Sequence, residues 1–500
     1  MKTEKAAKEV VKEIKGKIED TKGLTVKKNE DFSEWYTQVV QKAELADLRY
    51  NVKGFLVFQP WSVMVMEKMY SYLEKTLQQK RHKPYFFPTL IPESNLKRES
   101  THIIGFTPEV FWVTEGGDKK FEERLALRPT SETAFYQMFS LWIRSYKDLP
   151  FKTYQRANVF RYETKATRPF LRSREFHWIE THCVHATEKD AEKQVLEDMQ
   201  TTKEVLHDVF GLPFIFFERP AWDKFPGADR TFAADVLNPD GRVVQQPSTH
   251  LLSQAFSKGF GVKYTGADGK ENYGWITCYG PAVSRIFASV VIVHGDDKGL
   301  RLPWNLAPIQ VVIVPIVDDP KVMEKADNLY HKLSSFSNVE IDMTNKSAGE
   351  KFNHWEMKGV PVRIDLGLKD IKEKSVTIFR RDTGEKKVIR EENVLGYIKK
   401  LAEESGKILM RQADKVFDDL IINATDLKKA KQVIESGGIV RCGFCSIEKD
   451  GASCSDKVEE STGAKVRGRK FDEIGKTKTS GVCIVCGKPA KETVYIAREY

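Results

Sequence analysis

The 500-residue chain has no apolar run approaching the roughly 18 residues a membrane helix needs, which excludes an integral helical membrane protein. It opens on Met1-Lys2-Thr3-Glu4-Lys5, mixed charge without the apolar stretch of a secretory signal, and so points to a cytoplasmic protein. Cysteine is scarce: of seven, only Cys183 and Cys278 lie outside residues 442–486, which excludes a disulfide framework. Neither sign of charge dominates. Eighty Lys plus Arg against 71 Asp plus Glu leave a formal +9, compatible with a polyanion partner but not enough to establish one, because a nucleic-acid surface needs its charge on one face. Neither a GxxxxGKS/T loop nor a GxGxxG after a strand occurs, so the common phosphate-cradling loops are excluded. Internal repeats and low-complexity stretches are also missing.

What is present suits a globular protein of about three domains: 41% hydrophobic and 30% charged residues over 500 positions. Residues 1–30 carry Val10, Val11, Ile14 and Ile18 at helical spacing among Lys and Glu, and predict a charged N-terminal extension with an amphipathic helix. Met66, Met69, Leu73 and Leu77 predict a long helix over 61–80, ended by Lys83-Pro84. An aromatic and branched strand over 85–91 follows, confined by Pro88 to an edge or interface. Further strands are expected at 151–161, 176–184, 214–217, 231–237 and 288–293. Strands with long loops and few βαβ units imply an antiparallel α+β core. After Pro303, a strand over 310–316, a helix over 321–336, a strand over 339–342, a helix around 351–359 and a strand over 360–364 imply a small α/β domain ending near residue 400. A long helix to about 421 then leads to the cysteine-rich tail. The expected boundaries are 1–30, 31–303, 304–400 and 401–500.

Chemistry concentrates in one hairpin. Arg161-Tyr162-Glu163 ends a strand, and Arg172-Ser173-Arg174-Glu175-Phe176 begins the return, with Arg168 in the loop between. Guanidinium forks match phosphate oxygens, and a phenyl face stacks on a purine, so a nucleoside triphosphate is a natural ligand; a cross-strand Arg/Glu ladder would have the same local composition.

Taken with the helix and strand of 61–88 and with Gly280-Pro281-Ala282-Val283-Ser284-Arg285, this hairpin resembles the three motifs of class II aminoacyl-tRNA synthetases, in order. Asp31-Phe32-Ser33-Glu34-Trp35-Tyr36, Arg128-Pro129-Thr130-Ser131-Glu132-Thr133, Pro169-Phe170-Leu171-Arg172 and Val293-His294-Gly295-Asp296 are similar to the prolyl-tRNA synthetases of the archaeal and eukaryotic type. The resemblance implies an antiparallel-sheet catalytic domain, an α/β anticodon-binding domain and a small zinc-binding C-terminal domain. It also puts the first residues of 288–293 on a helix.

The resemblance further implies roles. Arg161 would hold the α-phosphate and the amino-acid carboxylate. Glu163 would accept from the adenine amino group, and Phe176 and Arg285 would sandwich the ring. Arg172 and Ser173 would reach the triphosphate tail, and Gln245 and Ser248 would face ATP and its magnesium. Thr130, Glu132 and His250 would meet the secondary ammonium of proline, with Phe106, Trp178 and Phe225 as apolar walls. Proline, ATP and tRNA(Pro) would be the partners, and the first motif implies a homodimer. Between Phe176 and Arg285 the chain is too short for a domain-sized editing insertion, so correction of mischarging would fall to another protein. The domain after Pro303 would read the anticodon, with Lys346, Lys351, Lys369, Arg380 and Arg381 among its basic residues. A synthetase for threonine, serine or glycine, or a synthetase-like RNA-binding protein without catalysis, are the alternatives.

In the tail, Cys442-Gly443-Phe444-Cys445 and Cys483-Ile484-Val485-Cys486 form a CxxC…CxxC pair with the spacing of a zinc site. Five thiols compete for four corners. Local spacing favours Cys442 with Cys445, whereas the family pattern brings in Cys454, giving Cys445, Cys454, Cys483 and Cys486 with Cys442 in reserve. Four thiolates leave no open position, so such a zinc is structural. The closing run to Tyr500 is strand-like; similar enzymes direct a terminal tyrosine carboxylate toward the catalytic domain, so the expectation is a ring in an apolar groove and a carboxylate near the basic active-site residues.

Overall fold

The computed structural model describes residues 23–102, 109–163, 166–476 and 481–500. Most of the expected N-terminal helix, and Phe106, lie outside the described residues. The chain divides into two compact units, one of residues up to 43 with 295–301 and 309–395, the other of 44–294, 302–308 and 396–500.

The larger unit is built on an antiparallel sheet whose strands follow from alternating and β-branched sequence: β1 (Phe151–Phe160), β2 (Glu175–His185), β3 (Ile215–Glu218), β4 (Arg230–Leu237), β5 (Arg242–Ser253) and β6 (Trp275–Gly280). Their spatial order is β3-β4-β5-β6-β2-β1, every neighbour antiparallel. The tail continues this sheet. Strands β7 (Ile439–Phe444), β8 (Lys465–Lys470) and β9 (Glu492–Glu499) order as β7-β9-β8, and β8 pairs with β3, while the end of β9 runs parallel to β5 at Arg242 and Val243. Helices Val283–His294 and Glu188–Thr202 pack on the sheet, and Pro60–Gln79 packs against both, with Met69, Leu73 and Leu77 buried as their spacing requires.

The smaller unit holds five strands in the order Val339–Ile341, Val311–Pro315, Val362–Leu366, Ser375–Arg380, Lys386–Arg390, the first three parallel and the rest antiparallel. Its helices carry their own start signals: Asp319 caps Pro320–Ser334, and Ser347 with Glu350 forms a capping box on Ala348–Lys358, which ends at Gly359 with φ +71°. Arg380 pairs with Asp382, Arg381 with Asp296, and Lys351 donates to the Asp342 carbonyl, so of the five basic residues singled out here Lys346 and Lys369 are the exposed ones.

Three expectations are corrected. Residues 288–293 are helical throughout, because Val283–His294 is buried on nearly all sides and an all-round apolar helix has no periodicity to tell it from a strand. The stretch 85–91 is mostly loop between the short strands Lys83–Pro84 and Leu90–Pro92, as its two-sided aromatics pack irregularly around Phe135 and Trp142. The returning strand starts at Glu175, leaving Arg172 and Ser173 in the turn.

Candidate active site

A cleft of about 500 Å³ opens on the face formed by β2, β4, β5 and β6. Arg161 enters it from the residue after β1, with its backbone N–H bonded to the Arg174 carbonyl across the hairpin and Nε donating to the Pro129 carbonyl at 3.2 Å. Its guanidinium carbon lies 5.3 Å from the Phe176 ring centre and 5.9 Å from Trp178. Burial lowers the pKa of Arg161, opposed by the charges of Glu132, Glu163 and Glu180. Arg285, on the first turn of Val283–His294, donates to the Leu171 carbonyl at 3.4 Å and the Gln245 carbonyl at 3.1 Å. Burial, then repulsion from Arg161 and Arg172, brings its pKa down to about 10. Clustered cations that repel one another in the free protein are poised for an anion.

Glu163 and Arg172 face each other across the loop at 3.6 Å. Ser173 is more committed than its expected role requires, because its hydroxyl donates to the Glu175 carbonyl at 2.6 Å. Phe176 and Trp178 meet edge to face at 5.6 Å, and the Trp178 indole N–H is buried without a hydrogen-bond partner.

Carboxylates line the same cleft. Glu132, 4% exposed, starts the helix Glu132–Trp142 and accepts from the Thr130 hydroxyl. Burial raises its pKa, opposed chiefly by His182. Beneath it Glu180 also faces a burial penalty, but hydrogen bonding and charge from His182 dominate and hold it below the usual carboxylate range. On β5, Ser248 Oγ lies 3.0 Å from His250 Nε2, and Thr231 Oγ1 lies 3.0 Å from Nδ1. Burial, reinforced by Arg219 and His182, lowers His250 to about 3, so the ring is neutral, and it packs against Phe225 at 4.7 Å.

The cleft therefore brings together Thr130, Glu132, Arg161, Glu163, Phe176, Trp178, Phe225, Gln245, Ser248, His250 and Arg285. Arg172 and Ser173 line the adjoining hollow with Arg161 and Arg285. Sequence reasoning missed Arg219, Glu180 and His182, which also line it. A buried arginine directly after an apolar strand was the available sign for Arg219; nothing marked the other two.

The end of the chain lies beside Arg172, as expected, but the Tyr500 ring is held differently from expectation. The ring lies 5.6 Å from the Arg168 guanidinium and 5.9 Å from that of Arg242, its hydroxyl donates to Asp240, and the Tyr500 carbonyl oxygen accepts from Arg172 at 2.9 Å. Charged groups, not an apolar groove, hold the ring.

Among the described residues, the sulfurs of Cys445, Cys454, Cys483 and Cys486 lie within 4.8 Å of one another. Thiolates around one zinc ion stand roughly 3.8 Å apart, so the set fits tetrahedral metal with no open corner. Cys442 points into the core of the tail, and burial pushes its thiol up to about 12. Cys486 is lowered to about 7, first by the Lys488 backbone N–H.

Comparison with known proteins gives three adjoining family matches: a tRNA synthetase class II core domain (G, H, P, S and T) over residues 111–294, an anticodon binding domain over 310–401 and a prolyl-tRNA synthetase C-terminal domain over 427–500. The proline-tRNA ligase of Thermofilum pendens is 47% identical over 485 residues, covering 96% of this chain and 99% of its own. That of Methanopyrus kandleri is 42% identical, covering 94% and 96%. Among solved structures, Giardia lamblia prolyl-tRNA synthetase in complex with prolyl-adenylate superposes with a TM-score of 0.92 at 37% identity, over 95% of this chain and all of that one. The Cryptosporidium parvum enzyme complexed with L-proline and AMP gives 0.89 at 32% identity, over 96% and 97%.

Proposed function

The chain belongs to the proline-tRNA ligase family, and on that premise we propose that its cleft activates L-proline with ATP and passes the prolyl group to the 3′ end of tRNA(Pro). The observation that carries this is that one cleft gathers the guanidinium groups of Arg161 and Arg285 together with the buried Glu132 carboxyl and Thr130. An amino acid that is anionic at one end and cationic at the other is oriented by such a layout.

The proline ammonium pairs with Glu132 and Thr130, beside His250 and the walls Trp178 and Phe225; Phe106 is assigned to the same wall. Its carboxylate lies on Arg161 next to the α-phosphate. One carboxylate oxygen attacks the α-phosphorus, the bond to the β-phosphate oxygen breaks, and pyrophosphate leaves. Arg161 neutralises charge gathering on the α-phosphoryl oxygens. Glu163 takes the adenine amino group, and Phe176 and Arg285 hold the ring between them. Arg172 meets the outer phosphates, with Ser173 shaping the turn. Gln245 and Ser248 would face a magnesium ion accompanying the triphosphate, which would supply charge neutralisation there. A terminal ribose hydroxyl of the tRNA then attacks the prolyl carbonyl carbon and AMP leaves. No side chain serves as nucleophile.

The further assignments are these: residues 31–303 catalytic, 304–400 anticodon-binding, 401–500 linker helix and zinc domain, and 1–30 an extension. Zinc held by Cys445, Cys454, Cys483 and Cys486 is structural. The enzyme is a homodimer working in the cytoplasm, a setting that its free thiols suit. Among the described residues no helix is long and apolar enough to cross a membrane.

Exchange of labelled pyrophosphate into ATP tests the reading. It should require proline, with threonine, serine and glycine failing to replace it; exchange driven by one of those three, or none with proline, would overturn it.

A further inference from the structure

The chemistry above makes no use of Arg219, although it forms part of the cleft wall. Its guanidinium is nearly wholly buried and donates to Asp235 twice, Nη2 to Oδ1 at 2.7 Å and Nη1 to Oδ2 at 3.2 Å. Nη2 also reaches Gln245 Oε1 at 3.3 Å. Asp235 is fully buried and accepts on its far side from Arg467, Nε to Oδ2 at 2.7 Å and Nη2 to Oδ1 at 3.4 Å. Arg467 closes the circuit. Its carbonyl accepts from Arg219 Nη1 at 3.0 Å, and its own Nη1 donates to Glu499. Lys465 also pairs with Glu499 at 2.6 Å, so each buried charge of the cluster has an opposite partner, and a buried cluster is stable when its polar atoms are satisfied in this way.

The local backbone is shaped to deliver Arg467 there. Pairing of β8 with β9 shifts register between Val466 and Gly468, so Arg467 is the extra residue of a bulge, which turns its side chain out of the strand's alternation. Gly468 has φ +122°, and a Cβ on it would stand 1.9 Å from the Glu218 carbonyl oxygen; any side chain would force β8 away from β3. Arg469, on the other side, pairs with Glu218 at 2.8 Å. Arg467-Gly468-Arg469 is thus a clasp between the C-terminal strands and the catalytic sheet.

We propose that Arg467 is a positioning residue for ATP: through Asp235 it fixes the Arg219 guanidinium, which in turn fixes the side-chain amide of Gln245. The inference rests on reading the cleft as the ATP and proline site. A guanidinium only donates, so it selects the flip of the Gln245 amide that turns oxygen toward Arg219. Arg285 holds the Gln245 carbonyl at 3.1 Å, so the residue is gripped at side chain and backbone. Without Arg467, Asp235 and Arg219 are free to turn and the amide to flip. Thr130 and Glu132 belong to another element, and His250 keeps its own partners Ser248 and Thr231 although the Arg219 charge reaches it, so the ATP side should suffer well beyond the proline side.

Pyrophosphate exchange on Arg467→Met, Arg467→Lys, Arg219→Lys and the double variant Arg467→Met/Glu499→Gln tests this. With Arg467→Met, KM for ATP should rise about tenfold, as for loss of an outer supporting contact, while KM for proline stays within about twofold. Arg467→Lys should be intermediate, because one ammonium cannot form the fork. The double variant restores the net charge but not geometry and should do no better than Arg467→Met. Arg219→Lys, entering the chain of contacts from the cleft side, should give the same split should the Arg467 variants fail to fold. Melting temperature and zinc content on the same samples register a merely loosened tail. An unchanged KM for ATP, or equal rises for both substrates, would overturn the proposal. No proline-dependent exchange in the unaltered protein would instead defeat the reading of the cleft, and the role of Arg467 with it.

Discussion

On the proposed reading, Arg161 stands where the proline carboxylate and the α-phosphate meet, held by its bond to the Pro129 carbonyl. Arg161→Ala should lower prolyl-adenylate formation by about 100-fold or more, the loss expected for a preorganised charge contact. Single-turnover adenylate formation by a folded variant checks this; a near-normal rate would remove Arg161 from the reaction. Glu132 yields a pH dependence. Its pKa lies above the usual carboxylate range because of burial, and only the ionised form pairs with the proline ammonium. Proline binding should therefore weaken as pH falls through that raised pKa, at higher pH than it would for an exposed glutamate. Glu132→Gln should raise KM for proline and flatten its profile between about pH 5 and 8. Parallel profiles would assign the titration elsewhere. Arg161, Glu163, Phe176 and Arg285 were legible in the sequence because their spacing along a hairpin and a helix start is itself the signal. Arg219, Glu180 and His182 were not, since each matters through contacts with distant segments, and a buried charged residue looks like any other charged residue in a string of letters.

At the scale of elements, legibility followed periodicity. The helices Pro60–Gln79 and Pro320–Ser334 bury one stripe and announce it every three or four residues. Strand β5 does the reverse. It is central, yet it reads Gln245-Gln246-Pro247-Ser248-Thr249-His250, because part of it faces the cleft and because Pro247 falls at the register shift opposite Ala233 and Asp235, where no regular ladder bond is lost. The segment 288–293 of the helix Val283–His294 failed for the opposite reason, being buried on nearly every side. In the tail, local CxxC spacing favoured Cys442, but alternation along β7 turns that thiol into the core while Cys445 lies past the strand's end with the other three sulfurs. Metal analysis should find one zinc per chain. Cys442→Ser should keep it, and Cys454→Ser or Cys483→Ser should lose it with partial unfolding of the tail. Loss with Cys442→Ser and retention with Cys454→Ser would exchange the ligand set.

For the whole molecule, the antiparallel core and the α/β unit were legible as changes of texture along the chain. The way the tail enters the catalytic sheet through β8 and β9 was not, because pairing between strands some 250 residues apart leaves no local mark. Phe86 is 86% exposed beside Pro88, an aromatic that a homodimer would cover. Sedimentation should accordingly give twice the 57.3 kDa chain mass, with Phe86→Asp shifting it toward the monomer; a fully active monomer would refute the dimer. The central claim is that this cleft selects proline and delivers it to tRNA. Charging of total tRNA with each of the twenty amino acids in turn, with ATP and magnesium, addresses it most directly. Proline alone should be attached efficiently, in amounts matching tRNA(Pro), and attachment should vanish with Arg161→Ala; efficient charging with another amino acid, or none with proline, would contradict the account.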